Sequence, residues 1–519
     1  MPQAELSAPD PAPWSLPPVY EVSMSHPTYH NLIGGQWLPA VSGKSILNLN
    51  PADHTDVVGA FPSSHAEDVA LAVAAAKKAF ASWRLVPAPK RAEILVRAGL
   101  LLQQRKEEYA RQMTREMGKV LAETRGDGQE AIDEAFYVAG EGRRLFGVTT
   151  PSELPNKFAM SLRMPVGVVG LITPWNFPMA IPSWKLFPAL VAGNTCIIKP
   201  ATGTPLSTYN LVQALVDAGL PPGVVNIVCG SGPSVGMPLV ENPGVRAISF
   251  TGSSAVGAEV AKRSAAAFKP VSLEMGGKNA QIVLDDANLE LALDGALWGG
   301  FGTTGQRCTA TSRILLQKGI AARFTAEFVA RVKKLKVGSG LDESVQVGPQ
   351  VNASQIETSA RYVAIALAEG AKLLTGGHAL TEGVYAHGTF FEPTVLGGVA
   401  PGMRIAREEV FGPVVSLIEF ATFEEAIEIA NSIDYGLSTA LYTRDVNRAF
   451  AAIRDLESGI TYINAPTIGA EVHLPFGGVK QTGNGHREGL GAIDFYTTWK
   501  AVYVDYSDKL QRAQIDNAE

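Results

Sequence analysis

Cysteine is scarce in this chain. Cys196, Cys229 and Cys308 are the three that occur in 519 residues, an odd number at spacings that match neither a disulfide framework nor a zinc site. Reduced thiols are expected, one of them open to reaction. Charge is also sparse: Asp, Glu, Lys and Arg make up 18%, while hydrophobic residues reach 46%, which excludes disorder driven by low hydrophobicity and high charge. No apolar run approaches the ~18 residues of a membrane helix, and the longest, such as residues 166–172, are strand-sized. A basic tract interleaved with aromatics is missing too. With Lys+Arg 44 against Asp+Glu 50 and a net charge of −6, neither nucleic acid nor an anionic membrane is recruited, and a small molecule is the expected partner. The first 27 residues hold Pro2, Pro9, Pro11, Pro13, Pro17, Pro18 and Pro27 without the pattern of a signal peptide, so a loose arm and a cytoplasmic location are expected.

The length predicts roughly three compact units with a large core. Residues 66–115 are rich in Ala, Leu, Glu and Lys with apolar positions three and four apart, which predicts two amphipathic helices. After Pro165 the texture changes: VGVVGLIT, TCIIKP, NIVCG, AISFTG and QIVLDD alternate with helical stretches at 207–218 and 255–267. Such alternation predicts parallel βαβ units in a doubly wound sheet. A second series follows from Ile282, with strand-like 314–316 and 414–420 preceding helical 321–332 and 424–431, so a second α/β domain is expected. The junction falls near 276–279, where MGGKN interrupts strand-like residues and opens a cleft. Two alternating segments, FAMSLRMPVGVV and DFYTTWKAVYVDYS, fit either strands that pair between subunits or the edges of the main sheets.

The cysteines differ in their surroundings. Cys196 and Cys229 lie in strand contexts and read as small buried hydrophobes. Cys308 lies in GGFGTTGQRCTATSR beside Arg307, where backbone N–H groups and a cation are expected to lower its pKa; it is the candidate nucleophile, the bland alternative being a free thiol on a loop that starts a helix. Glu274, between strand-like residues and two glycines, suits a general base toward water if its neighbour is Cys308, and otherwise a solvated strand end. In ISFTGSSAVGAEVAKRS the glycines Gly252 and Gly257 flank a strand-to-helix turn that can face a pyrophosphate, though the pattern is not G-x-G-x-x-G. Lys199 ends a strand at the edge where open α/β sheets bind ligands, a place a plain salt bridge would also explain.

TPWNFP (173–178), GNTCIIKPA (193–201), FTGSSAVG (250–257), LEMGGKN (273–279), GQRC (305–308), EEVFGPV (408–414) and PFGGVKQTGNG (475–485) occur in the order that characterises the aldehyde dehydrogenase superfamily. Seven motifs in order, spanning about 32–506, make the resemblance specific. It implies an α/β fold with a Rossmann-type cofactor domain (29–146 and 167–278), a second α/β catalytic domain (279–486) and a small β oligomerisation arm (147–166 and 487–519), after a flexible arm at 1–28. A homodimer or homotetramer built through the protruding strands is implied as well.

By the same resemblance, Cys308 attacks the aldehyde carbon, and the side-chain amide of Asn176 with the cysteine's own N–H stabilises the oxyanion. Hydride then leaves for a nicotinamide, and Glu274 activates water to hydrolyse the thioester; members that acylate coenzyme A generally lack this carboxylate. Glu488 and Lys185 are implied as supporting proton carriers. Contacts to NAD or NADP are implied for Thr173, Pro174, Trp175, Lys199, Thr202, Gly232, Phe250, Gly252, Ser253, Gly276, Glu409 and Phe411. Thr202 departs from the NAD-preferring pattern, which has Glu there to repel a 2′-phosphate, so NADP is expected to be accepted. Branches that oxidise 2-oxoglutarate or aminoadipate semialdehyde meet the distal carboxylate with a cation and a Gly-Ala turn. Arg307, Gly469 and Ala470 match these, although Arg307 held in an internal ion pair is the plainer reading.

No metal site is expected. Three alternatives remain open on sequence: a broad-specificity enzyme for simple aliphatic or aromatic aldehydes, a cysteine hydrolase using His473 or His486, and a non-catalytic homologue on the same scaffold.

Overall fold

A computed structural model describes residues 26–485 and 488–516. Nearly all of the expected N-terminal arm, and His486, lie outside the described residues.

The first sheet has seven strands in the order Val271–Glu274, Ala247–Thr251, Val168–Ile172, Thr195–Lys199, Val225–Ile227, Asn31–Ile33 and Gln36–Leu38. The first five are parallel and the last two join antiparallel. The sequences VVGLI and TCIIK are buried along their whole length, as strands covered by helices on both faces must be. Helices Ala180–Ala192, Pro205–Asp217 and Ser254–Ala265 supply part of that cover. The strand Val168–Ile172 pairs with Thr195–Lys199 on one side and Ala247–Thr251 on the other. The winding therefore reverses there, and the crevice of a doubly wound sheet opens beyond the carboxyl ends of those strands.

A second seven-stranded sheet runs Lys372–Thr375, Thr394–Gly397, Val414–Phe420, Thr311–Gln317, Asn279–Val283, Ser438–Tyr442 and Ile460–Ile463, parallel except for its first strand. The chain passes from the first sheet at Glu274 to the second at Asn279 in four residues, the predicted junction. Glu274 thus stands at the carboxyl edge of one sheet, and the amino edge of the other begins beside it.

A third, three-stranded antiparallel sheet joins Val148–Pro151, Lys157–Pro165 and Thr497–Asp505. The two alternating segments therefore pair with each other, Thr497 opposite Pro165 through to Asp505 opposite Lys157. They are not edges of the main sheets. Phe158, Leu162, Trp499 and Tyr503 stay exposed on this sheet.

Residues 66–115 differ from expectation: they form three helices rather than two, Ala66–Trp83, Ala88–Gln104 and Lys106–Met117. Pro87 precedes the second, as proline does at helix starts. The break at Arg105 carries no glycine or proline signal; its side chain is drawn to Asp217 (2.7 Å) and Tyr109 (3.2 Å). Cys229 also differs, lying two residues past its strand rather than in it, yet buried as expected. Among the described residues no helix is long and apolar enough to cross a membrane.

Candidate active site

Cys308 follows a strained turn. Helix Leu289–Phe301 ends, and Thr303 (φ 51°), Thr304 (φ 57°) and Gly305 (φ 68°) are all left-handed. For a β-branched residue that conformation costs on the order of 1–3 kcal/mol, so something must hold it. Both Glu123 carboxylate oxygens accept from the Thr303 N–H (2.7 and 2.8 Å), and Thr304 Oγ1 donates to Gly348 O at 3.0 Å. A side chain at Gly305 would collide with the Gly412 carbonyl, 2.2 Å from its Cβ position. Cys308 then sits on the loop that leads into strand Thr311–Gln317, so the expectation of a helix-starting loop fails.

Two cavities meet at this loop. One, of about 400 Å³, is walled by Cys308, Glu274, Glu488, Arg307, Gly469 and Ala470, with Phe177, Trp184, Trp298 and Phe476 as its aromatic lining. The other, of about 180 Å³, is walled by Pro174, Trp175, Asn176, Gly252, Ser253, Gly276, Glu409 and Phe411. Cys308, Ile181, Thr251 and Met275 belong to both. The sulfur therefore stands where a small substrate and a dinucleotide bound in the crevice would meet.

The electrostatics overturn one expectation. The Cys308 thiol is pushed up to about 12, first by burial and then by the Glu409 and Glu274 carboxylates; the Thr309 and Cys308 N–H groups pull the other way and lose. Arg307 does not offset this, because it donates to Glu123 Oε1 (3.0 Å) and Thr303 Oγ1 (2.8 Å). Burial also raises Glu409 to about 7 although it accepts from the Gly277 N–H at 2.9 Å. Burial raises the Glu488 carboxyl, and Lys185, whose Nζ is 2.6 Å from Glu488 Oε1 and donates to Ser249 Oγ at 2.8 Å, opposes that rise.

Residues 37–502 match the model of the aldehyde dehydrogenase family. The chain belongs to that family. It is 43% identical to the alpha-ketoglutaric semialdehyde dehydrogenase of Bacillus subtilis, over 92% of this chain and 98% of that protein. To the NADP-dependent succinate-semialdehyde dehydrogenase of Escherichia coli it is 40% identical, over 91% and 97%. The solved NAD-dependent aldehyde dehydrogenase of Sinorhizobium meliloti superposes with a TM-score of 0.90 at 36% identity, over 94% of this chain and 96% of that one. The protein is an NAD(P)-dependent aldehyde dehydrogenase of the kind that does not acylate coenzyme A, oxidising an aldehyde to a carboxylic acid through a catalytic cysteine. The non-catalytic alternative falls with that finding. So does the cysteine hydrolase: no described residue lining either cavity is a histidine, and His473 is exposed beside Glu471.

Some residues expected at the dehydrogenase's cofactor do not line the smaller cavity beside Cys308. Lys199 and Thr202 converge elsewhere, each donating to the Gly230 carbonyl at 3.2 Å, with Lys199 also on Pro200 O at 2.7 Å. Gly232 opens the single π-helical turn Gly232–Gly236. Thr173 is buried, its N–H on Lys199 O at 3.2 Å. The Phe250 side chain is in the core, and its ring underlies Gly252, whose Cβ would come within 2.6 Å of it.

The cleft nonetheless fits a dinucleotide. A Cβ at Gly276 would lie 2.1 Å from the Glu409 carboxylate, so only glycine lets that acid reach the cleft wall. Buried Lys199, pulled down to about 8 by its burial, bonds carbonyls and no carboxylate, which leaves it suited to a phosphate or ribose oxygen.

Sequence reasoning missed one wall of the substrate cavity. Glu123, Asp127 and Glu130 all lie on helix Leu121–Glu141, and burial, then Asp127, push Glu130 to about 8. The signal was present: acids three and four apart on a helix, among the alanines and isoleucine that face its core.

Proposed function

We propose that this enzyme oxidises a short aldehyde carrying a distal carboxylate, a semialdehyde of the 2-oxoglutarate or aminoadipate kind, to the dicarboxylic acid. The observation that carries the reading is Arg307: among the described residues lining the Cys308 cavity it is the one cation. Two of its five N–H groups are used by Thr303 and Glu123, and its guanidinium lies 5.3 Å from the Phe177 ring and 5.9 Å from Trp298. The remaining donors suit a carboxylate in a largely aromatic cavity, with the Gly469–Ala470 backbone beside it. Both curated relatives described above, from Bacillus subtilis and Escherichia coli, are named as semialdehyde dehydrogenases, which supports the reading. The aromatic lining alone favours the second reading, a simple aliphatic or aromatic aldehyde.

In this reading Cys308 bonds to the aldehyde carbon as its proton leaves, and the Asn176 amide and the Cys308 N–H receive the oxyanion of the tetrahedral adduct. NAD(P)+, held between Trp175, Gly252, Ser253, Gly276, Glu409 and Phe411, supplies the hydride acceptor when bound. Glu274 takes a proton from the water that hydrolyses the acyl–sulfur bond, and the Lys185–Glu488 pair carries that proton onward. With Thr202 in place of a carboxylate, NADP is accepted as well as NAD. The exposed three-stranded sheet is read as a homo-oligomer contact and the unpaired cysteines as fitting a reducing cytoplasm. A substrate panel of a carboxylate-ended semialdehyde and hexanal, each with NAD and NADP, tests the function; equal kcat/KM for the two aldehydes would overturn it. Light scattering of the purified protein tests the assembly, and a monomer would refute it.

A further inference from the structure

We propose that the buried Lys119–Asp127 ion pair positions Asn176, and through it the oxyanion donor of the reaction. The inference rests on the reading of Asn176 above and goes beyond it by naming what holds the amide in place.

The segment that carries Asn176 has little main-chain support. It runs between strand Val168–Ile172 and helix Ala180–Ala192 and contains Pro174 and Pro178, which donate no hydrogen bond. Among the described residues, no main-chain hydrogen bond is donated by Trp175, Asn176 or Phe177. Its anchors come from elsewhere. Lys119 Nζ donates to the Asn176 carbonyl at 3.0 Å and lies 2.6 Å from Asp127 Oδ2. The other Asp127 oxygen accepts from the Ala180 N–H at 2.7 Å, the first residue of the following helix. Between the two anchors the Phe177 ring faces the same ammonium, 3.9 Å from Nζ to the ring centroid. One pair thus holds both ends and the middle of the segment 176–180.

Two features argue that positioning is the reason for the pair. Both side chains are fully buried, and a buried ion pair is a poor stabiliser compared with apolar residues of the same volume. Every N–H of this ammonium also has a partner, a carboxylate, a carbonyl and a ring, so its place is fixed from three directions. A backbone fixed at Asn176 fixes where its side chain starts. Misplacing a transition-state donor by about 1 Å can cost on the order of 10²-fold in rate. Neither Lys119 nor the Asp127 contact with Ala180 touches the reacting atoms, so these are positioning residues.

The test is a double-mutant cycle on the full enzyme. Lys119→Met, Asn176→Ala and the double variant are compared by the single-turnover rate of reduced-nicotinamide formation. Lys119→Met should slow that rate on the order of 10–100-fold and Asn176→Ala on the order of 10²–10³-fold, while the double variant is no slower than Asn176→Ala alone. Alkylation of Cys308 by iodoacetamide forms no oxyanion, so it should stay within about twofold in all three. Multiplicative losses in the double variant, or alkylation falling in step with oxidation, would overturn the proposal in favour of a merely structural pair. An undiminished rate for Asn176→Ala would instead sink the oxyanion reading on which it rests. If Lys119→Met does not fold, Asp127→Asn, which keeps an acceptor for Ala180 and removes the charge, carries the same cycle.

Discussion

Arg307 gives its Nη2 to Glu123 Oε1 at 3.0 Å, and that same carboxylate receives the N–H of Thr303. A residue adjacent to the nucleophile in sequence is therefore tied to the far wall of the cavity, and the turn that presents Cys308 is tied there with it. The guanidinium is thus engaged by Glu123 and Thr303 rather than by the sulfur.

Substrate discrimination should follow from this arrangement. Arg307→Ala is expected to lower kcat/KM for a carboxylate-ended semialdehyde on the order of 10–100-fold, the range of a lost charge-assisted hydrogen bond of about 1.5–3 kcal/mol. For hexanal, which offers no anion, kcat/KM should change by no more than a few-fold. Steady-state kinetics on the two aldehydes checks this, and equal losses would mean that Arg307 only braces the turn.

The thiol's environment makes a prediction about pH. With its pKa pushed to about 12 by burial and the Glu409 and Glu274 charges, Cys308 in the enzyme without cofactor is mostly protonated at neutral pH. The thiolate is the reacting form, so iodoacetamide alkylation should climb about tenfold per pH unit and show no plateau below pH ~10. Glu409→Gln removes a like charge and should speed alkylation at fixed pH by a few-fold. A plateau near pH 7 would contradict the assigned environment.

Much of this was legible beforehand, and the parts that were not share a cause. Alternating apolar runs announced both parallel sheets, because a strand buried on two faces has to read VVGLI or TCIIK. The glycines at 276 and 277 announced the crossing, since only they let Glu409 and the Cys308 backbone approach so closely. The ionisation of Cys308 was misjudged because local neighbours suggested cations and N–H donors, while the deciding terms, burial and two carboxylates 34 and 101 positions away, come from tertiary packing. The roles of the acids on helix Leu121–Glu141 were not legible for the same reason: Glu123 meets Arg307 and Asp127 meets Lys119 and Ala180 only in the folded chain.

Cofactor choice should respond to one position. Thr202 is exposed, and its hydroxyl donates to Gly230 O beside the Lys199 ammonium. Thr202→Glu places a carboxylate next to that cation, where it would compete with a 2′-phosphate and repel it. The expected result is a fall in kcat/KM for NADP of about tenfold or more, with a smaller change for NAD. Unchanged NADP kinetics would show that Thr202 lies outside the region the cofactor reaches.

A last prediction separates the cofactor cleft from the nucleophile. Gly276 leaves room for the Glu409 carboxylate, whose nearest oxygen would be 2.1 Å from an added Cβ. Gly276→Ala must therefore displace Glu409, and with it the hydrogen bond from the Gly277 N–H. Because Glu409 lines the cleft and not the larger cavity, dinucleotide binding is expected to weaken about tenfold or more, the cost of one charge-assisted hydrogen bond. The displaced charge also stops raising the Cys308 thiol, so alkylation of the free enzyme should hold steady or rise. Binding measured by fluorescence and alkylation measured by mass spectrometry give the two readouts independently. Loss of both together would mean that the substitution disturbs the crossing between the sheets as a whole.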